Sequence, residues 1–201
     1  MRILSRAAAL LFFALSASLA RAGSDRITTH FTPEAPSFEI STETAYLLGF
    51  IGNPNSYEIG SQFVTARWRF GPVYTDGWLR GYNQFYVLAM AEPIFRGPEN
   101  FYYGISVGLR YNFLHENSRF IPFVSGGVGL GWIDSHSQIF GAQGQDFTFN
   151  ILTAVGVSYK MSEHWKATAS ILYQHLSNAA QTDPNPSLNL IGPQLGLTYS
   201  F

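Results

Sequence analysis

The chain has 201 residues, a formal net charge of −1 and no cysteine. The missing cysteine excludes disulfides and thiol chemistry, and the absence of a basic excess argues against nucleic-acid binding. Aromatic residues make up 16% of the chain and charged residues only 12%, a composition poor in charge for a soluble domain.

The N-terminus is typical of a secretory signal peptide. Two arginines precede an apolar stretch over 7–19, which is too short to span a bilayer comfortably as a helix, and the small-x-small sequence "ARA" follows it. We therefore predict a signal peptide over 1–22 and export from the cytoplasm. A periplasmic segment over 23–38 is predicted to follow, and the barrel described next then spans 39–201.

Beyond residue 38, apolar and polar residues alternate with a period of two, which indicates β-strands. The strands are long enough to cross a membrane when tilted, and their even number suits an antiparallel barrel whose closure leaves no exposed edge. The alternative is a soluble, lipocalin-like barrel with its apolar face inward. We predict eight strands in an all-β transmembrane barrel, over 39–50, 57–71, 82–95, 101–114, 119–133, 146–160, 164–177 and 189–201.

The last predicted strand has the clearest alternation. From Ile191 to Phe201 every second residue is apolar or aromatic, and Gly, Gln, Thr and Ser fill the other face. The final Phe201, with Tyr199 two residues before it, resembles the C-terminal signal of bacterial outer-membrane barrels. We therefore expect the apolar face to contact lipid and the polar face to line the interior. Trp68, Trp78, Trp132 and Trp165 are predicted to lie in interfacial aromatic girdles.

Short and long connections alternate in the second half of the chain. The connections at 115–118 and 161–163 are short, whereas those at 134–145 and 178–188 are long and polar. Outer-membrane barrels have short periplasmic turns and longer extracellular loops, so the seventh strand is expected to end at the outer leaflet. The connection at 71–81 is longer than this rule predicts for a periplasmic turn.

The sequence "YQHLSN" at 173–178 ends the seventh strand. His175 and Ser177 share its odd-numbered face, which we expect to face lipid, and Asn189 lies close to His175 if the last two strands pair. Polar side chains facing lipid are costly unless they lie near the interface or have partners, so the cluster hints at function. A serine, an imidazole and an orienting acceptor on one face form the arrangement used in nucleophilic acyl transfer.

Several segments resemble the outer-membrane lipid A 3-O-deacylases, PagL-like proteins that are also described as acyloxyacyl hydrolases. They are "HLSNAA" at 175–180, "DPNPSLN" at 183–189, "PFVSGGVGLGW" at 122–132 and the aromatic terminal strand. The resemblance implies an eight-stranded outer-membrane barrel acting on lipid A of lipopolysaccharide, in contact with outer-membrane lipids and without a cofactor. It implies that Ser177 is the nucleophile and His175 its general base.

Two further positions depart from the family's pattern. The family's acidic residue, a glutamate, corresponds to Asn189, whose amide can orient the imidazole but cannot stabilise an imidazolium as a carboxylate does. Ala180 corresponds to a glycine whose backbone N–H assists the oxyanion. Asn185 matches an asparagine that helps to bind the oxyanion, and Asn178 matches an asparagine beside the nucleophile. Asp183 is an alternative source of the missing charge.

Other patterns do not indicate a second site. The glycine run at 126–131 resembles a nucleotide-binding loop, but it lies in a predicted strand with no helix after it. We interpret it as a place where neighbouring strands or a lipid chain approach closely. The remaining histidines are scattered without a supporting carboxylate at metal-ligand spacing, so no metal site is predicted.

Two functional hypotheses follow. The first is an outer-membrane serine esterase that removes an ester-linked acyl chain of lipid A in the outer leaflet by 3-O-deacylation. The second is a catalytically silent barrel with a structural or adhesive role, which the neutral Asn189 favours. The acyl chain and the oligomeric state are left open.

Overall fold

The computed structural model describes residues 35–49, 56–75 and 77–201, which form a closed antiparallel barrel of eight strands. Each strand pairs with its neighbours in the sequence, and β1 pairs with β8 to close the barrel. Among these residues, no helix has the length and apolar character needed to cross a membrane. The strands are β1 (Phe38–Gly49), β2 (Tyr57–Tyr74), β3 (Gly81–Arg96), β4 (Phe101–Phe113), β5 (Phe120–Ile133), β6 (Phe147–Lys160), β7 (Trp165–Ser177) and β8 (Leu188–Ser200).

This architecture confirms the predicted all-β, eight-stranded antiparallel barrel. The predicted signal peptide over 1–22 lies outside the described residues, and so does most of the segment 23–38. We call the end where β1 begins and β8 ends the terminal end of the barrel. The opposite end, which carries the connections 134–146 and 178–187, is the loop end.

The largest difference from the predicted strands is at the end of β2. The prediction ends this strand at Gly71, but β2 continues to Tyr74. Gly71 has a φ of 70°, and the pairing with β3 is irregular between Phe70 and Tyr74, so the chain bends through a bulge without leaving the sheet. The connection to β3 therefore covers only 75–80, which removes the unexpectedly long turn.

The outer wall of the barrel is apolar along its middle. Val64, Ile105 and Leu195 are 57%, 54% and 57% exposed on this wall, whereas a water-soluble barrel would turn such residues inward. Aromatic contacts flank this apolar band at both ends, as in the girdles of membrane barrels. At the terminal end they include Phe38–Trp68, Trp165–Tyr199 and Tyr199–Phe201, and at the loop end Tyr46–Phe95, Phe101–Tyr103 and Trp132–Phe147.

The interior at the terminal end is charged and contains two buried ion pairs. Glu43 on β1 forms an ion pair with Arg67 on β2, and Glu39 on β1 forms one with Lys166 on β7. Glu39 also accepts hydrogen bonds from Gln84 Nε2 on β3 at 2.6 Å and from Ser200 Oγ on β8 at 2.8 Å. One carboxylate thus links four strands. We call Glu39, Glu43, Arg67 and Lys166 the charged cluster.

The interior at the loop end is mainly apolar. Leu176 on β7 and Leu188 on β8 are paired in the strand register and are fully buried. Leu172 and Leu176 interrupt the polar pattern predicted for the inward face of β7 because they belong to this apolar layer. The other members include Leu47, Ile59, Phe63, Met90, Tyr102, Ile133 and Leu190.

The glycine run of β5 provides space for tyrosine rings inside the barrel. A Cβ atom at Gly127 would lie 2.2 Å from Tyr86 Oη, and one at Gly131 would lie 2.4 Å from Tyr102 Oη. Both distances are far below van der Waals contact. The close approach at these inward-facing glycines is therefore made by tyrosine side chains of β3 and β4 inside the barrel, and not by a lipid chain.

Candidate active site

His175 and Ser177 lie on the outward face of β7 near the loop end. The residues between them and beside them, Gln174, Leu176 and Asn178, are fully buried, so the alternation places the pair on the outer wall. Both side chains are half-buried. Their nearest strand neighbours on β6 are Ile151 opposite His175 and Phe149 opposite Ser177. A polar pair therefore sits on an otherwise apolar wall.

Asn189 lies directly across from His175 in the β7–β8 register. His175 Nδ1 is 2.9 Å from Asn189 Oδ1. Because an amide oxygen can only accept, this contact requires the proton to be on Nδ1, which leaves Nε2 as an acceptor. That is the tautomer in which an imidazole can take a proton from a serine hydroxyl.

The surrounding hydrogen bonds, above all the one to a backbone carbonyl, fix which end of the Asn189 amide faces His175. The Asn189 Nδ2 group donates to the backbone carbonyl of Ser187 at 3.2 Å, and the Tyr173 hydroxyl donates to Oδ1 at 2.8 Å. A carbonyl oxygen cannot donate, so the amino end of the amide must point towards Ser187. The orientation of Asn189 is thereby assigned from the network around it.

Ser177 completes the set of predicted catalytic residues by position but not by contact. Its side chain follows His175 by two residues on the same face, about 6.6 Å along an extended strand. Within the described part of the chain, its hydroxyl makes no hydrogen bond to His175 or to another group. Hydrogen bonds between a nucleophile and its base are often long in a free enzyme and shorten when the substrate binds.

Asn178 and Asn185 organise the loop that follows β7. The backbone N–H of Asn178 donates to Asn185 Oδ1 at 3.0 Å, which leaves the amino group of Asn185 as the donor for a ligand. The side chain of Asn178 is fully buried and donates to the carbonyl groups of Thr182 at 2.6 Å and Pro184 at 3.4 Å. Asn178 therefore holds the loop in shape, whereas Asn185 and Ser177 remain accessible.

Ala180 adopts a backbone conformation that favours glycine. Its φ is 58°, and that of Ala179 is 54°, so both lie in the left-handed region. A residue with a Cβ atom is strained there by about 1–2 kcal/mol. The position that matches a glycine in the family's pattern therefore keeps a glycine-like conformation although its residue is alanine. Its backbone N–H group is still present for hydrogen bonding.

The 178–187 loop packs on the loop between β5 and β6. Gly144 N donates to the Pro184 carbonyl at 2.8 Å, and Thr182 Oγ1 donates to Gln145 Oε1 at 2.6 Å. A groove of about 600 Å³ lies between the two loops; its lining includes Ile139, Phe140, Pro184, Asn185 and Pro186. Asp183 also borders this groove, and among the described residues its carboxylate makes no hydrogen bond or ion pair with His175.

A family model described as lipid A 3-O-deacylase (PagL) matches residues 45–198. The chain belongs to the lipid A 3-O-deacylase family. Among solved structures it is similar to Neisserial surface protein A (NspA), with 16% identity, a TM-score of 0.62 and coverage of 84% of this chain and 100% of that one. It is also similar to the outer membrane enzyme PagL, with 14% identity, a TM-score of 0.54 and coverage of 79% and 97%.

At these identities the two structures show the shared barrel fold alone. A comparison with curated protein sequences gives no match. The stretch matched by the lipid A 3-O-deacylase family includes all six residues predicted for the site: His175, Ser177, Asn178, Ala180, Asn185 and Asn189.

Sequence reasoning missed two residues that contact the predicted site in this member of the lipid A 3-O-deacylase family. Tyr173 binds Asn189, although in the sequence it is one of many aromatic residues that suit an interfacial girdle. Ser187 provides a backbone carbonyl, which no side-chain pattern encodes. The signal for Tyr173 was its position two residues before His175, on the same strand face. Among the described residues, no three His, Cys, Asp or Glu side chains come together as a metal site.

Proposed function

We propose that this member of the lipid A 3-O-deacylase family is an outer-membrane serine esterase that hydrolyses the 3-O-linked acyl chain of lipid A in the outer leaflet. The observation that carries the proposal is the 2.9 Å contact between His175 Nδ1 and Asn189 Oδ1, beside Ser177 on the outward face of β7. A lipid ester is the substrate class that such a wall would meet within a membrane. The family description supports lipid A as the particular lipid.

In the proposed reaction, Ser177 Oγ attacks the ester carbonyl carbon while His175 Nε2 takes the hydroxyl proton. The bond between the carbonyl carbon and the lipid A oxygen then breaks, and His175 returns the proton to that oxygen. Water attacks the acyl-serine with His175 again acting as the base, which releases a fatty acid and restores Ser177. Each half-reaction returns the proton that it borrows.

The negative charge on the tetrahedral intermediate is assigned to two donors. The amino group of Asn185 is free to donate because Asn178 N–H occupies its amide oxygen. The backbone N–H of Ala180 is the second proposed donor. Preorganised donors of this kind typically contribute 10²–10³-fold each to the rate of acyl transfer.

Asn189 acts in this proposal by orienting His175. A carboxylate would also stabilise the imidazolium by its charge, and an amide does not. The large loss of rate that follows replacement of a triad acid by an amide elsewhere comes from the wrong imidazole tautomer. Here the hydrogen bonds of Asn189 select the tautomer that is needed, so the neutral amide is compatible with catalysis.

The proposal is tested by mass spectrometry of lipid A from cells that express the wild type, Ser177→Ala or Ser170→Ala. Ser170 is the matched control because it lies on β7 but faces the interior, where it donates to Gln194 at 2.8 Å. We expect deacylated lipid A with the wild type and Ser170→Ala, and a loss of at least about 10³-fold in rate with Ser177→Ala.

Product in equal amounts from wild type and Ser177→Ala would contradict Ser177 as the nucleophile. Product from neither, with all three barrels folded, would favour the silent structural or adhesive barrel. Folding is checked independently by circular dichroism and by resistance to protease.

A further inference from the structure

We propose that Tyr173 is a positioning residue whose hydroxyl keeps the amide of Asn189 in the orientation that His175 needs. This inference rests on the proposed esterase function. Its basis is a shared acceptor: Asn189 Oδ1 accepts from the Tyr173 hydroxyl at 2.8 Å and is 2.9 Å from His175 Nδ1. Tyr173, His175 and Ser177 thus follow one another on the outward face of β7.

An amide in this position has a weakness that a carboxylate lacks. Its oxygen and its amino group have nearly the same shape, and a rotation by 180° exchanges them. If the amino group faced His175, it would donate to Nδ1, and the imidazole proton would then lie on Nε2. Nε2 could not accept the proton of Ser177, so every rotated molecule would be inactive.

Two contacts oppose this rotation from different sides. The Ser187 carbonyl accepts from Asn189 Nδ2 at 3.2 Å and would face the amide oxygen after rotation. The Tyr173 hydroxyl donates to Oδ1 at the shorter distance of 2.8 Å. After rotation this hydroxyl could accept from the amino group, but its own proton would then lack an acceptor on a wall where water is scarce. Together these contacts hold the amide in one orientation. A carboxylate does not need them, because its two oxygens are equivalent.

The conformation of Ser187 supports this reading. Its φ is 51°, a left-handed value that is uncommon for residues other than glycine, asparagine and aspartate. Strained backbone conformations of this kind persist where the surrounding structure requires them. Here the residue that adopts it presents its carbonyl to Asn189 Nδ2. The loop and the tyrosine therefore hold the same amide.

The direct test measures the tautomer of His175 by ¹⁵N nuclear magnetic resonance of the refolded full-length mature protein in detergent micelles. The His175 signals are assigned by their absence in His175→Gln. We expect the wild type to carry its proton on Nδ1, and Tyr173→Phe to shift the ratio of the two tautomers about five- to tenfold towards Nε2. Tyr103→Phe, which removes a hydroxyl from another exposed tyrosine on β4, is the control and should change nothing.

Kinetics provide the second readout. Tyr173→Phe is expected to lower kcat about five- to tenfold with KM unchanged, because the hydroxyl acts on His175 and not on the lipid. In an Asn189→Asp background both oxygens are equivalent acceptors, so adding Tyr173→Phe should lower kcat by less than about twofold. A merely structural tyrosine would lower kcat by the same factor in both backgrounds.

The outcomes separate this inference from the proposed function. An unchanged tautomer ratio in Tyr173→Phe overturns the positioning role of Tyr173, whatever the activity of Ser177→Ala. A shifted ratio together with full activity of Ser177→Ala supports the positioning role and overturns the assignment of the nucleophile. If Asn189→Asp is inactive, the tautomer measurement alone decides, because it needs no turnover.

Discussion

At the terminal end the barrel interior contains buried ion pairs, whereas behind the candidate site at the loop end it is filled mainly with leucines and other apolar side chains. The charged cluster links β1 to β2 and β7, and Glu39 also reaches β3 and β8. The apolar layer instead packs the inward faces of β7 and β8 through Leu176 and Leu188. The two ends therefore hold their strands by different forces.

The difference bears on how a polar site can be built on a lipid-facing wall. His175 and Ser177 turn outward only if the residues between and beside them are held inward. Leu176 lies between them and is fully buried in the apolar layer, which fixes the register of the strand. No residue of the predicted site lies on the outer wall beside the charged cluster. We infer that changes at the terminal end alter stability alone, whereas changes at the loop end alter stability and activity together.

The largest expected effect is at the charged cluster. Arg67→Ala removes one partner of a buried ion pair and leaves the Glu43 carboxylate without its charge partner, which typically costs about 3–5 kcal/mol. We expect a loss of that size in the free energy of unfolding, measured by urea denaturation in lipid vesicles. Conditions that keep the variant folded should leave kcat for lipid A unchanged.

Arg69→Ala is the matched control for Arg67→Ala. Arg69 is on the same strand two residues later, but its side chain is exposed near the rim. Its removal should change the unfolding free energy by no more than about 0.5 kcal/mol. Equal losses from the two variants would mean that the charged cluster does not hold the terminal end together.

The next effect is at the apolar layer behind the site. Leu176→Ala leaves a cavity beneath His175 and Ser177 and should cost about 2–5 kcal/mol in unfolding free energy. Because the two outward residues flank Leu176 in the chain, we also expect kcat to fall about tenfold or more through misplacement of the site. Urea denaturation and turnover of lipid A below the transition region check both effects.

Ile59→Ala distinguishes packing near the site from packing in general. Ile59 is a fully buried member of the same apolar layer, but it lies on β2, which pairs with neither β7 nor β8. It should lose comparable stability and keep a kcat within about twofold of the wild type. A similar fall of kcat in both variants would show that the loop-end interior acts on the site only through overall stability.

Much of this arrangement was predictable because a strand has a strict period of two. Each of β4, β5, β6 and β7 agrees with its predicted bounds at one end and differs by one residue at the other, and the outward parity of His175 and Asn189 follows from the same pattern. The continuation of β2 past Gly71 was missed because glycine followed by proline is also the signature of a turn. Periodicity does not distinguish a bulge from a turn.

The interior layers and the loop contacts were less predictable for a different reason. Leu172 and Leu176 appear in the sequence as exceptions to a polar face, and their meaning depends on side chains of distant strands such as Met90. The packing of the 178–187 loop on Gly144 depends on a backbone hydrogen bond, which leaves no side-chain pattern. The contact of the Tyr173 hydroxyl with Asn189 likewise leaves no recognisable pattern in the sequence.

The smallest expected effect is at the loop that carries the proposed oxyanion donors. Ala180→Gly relieves the Cβ strain of a residue with a φ of 58°, and we expect the unfolding free energy to rise by up to about 1 kcal/mol. The backbone N–H is retained, so kcat should be kept or raised.

Ala169→Gly, on the outward face of β7, is the opposite case, because glycine in an extended strand should lower the unfolding free energy by about 0.5–1 kcal/mol. Urea denaturation should show a rise in the unfolding free energy for Ala180→Gly and a fall for Ala169→Gly. A fall in both variants would mean that the left-handed conformation of Ala180 is not strained. The terminal end is thus stabilised by its ion pairs, whereas the loop end retains strain at Ala180, beside the residues that are proposed to react.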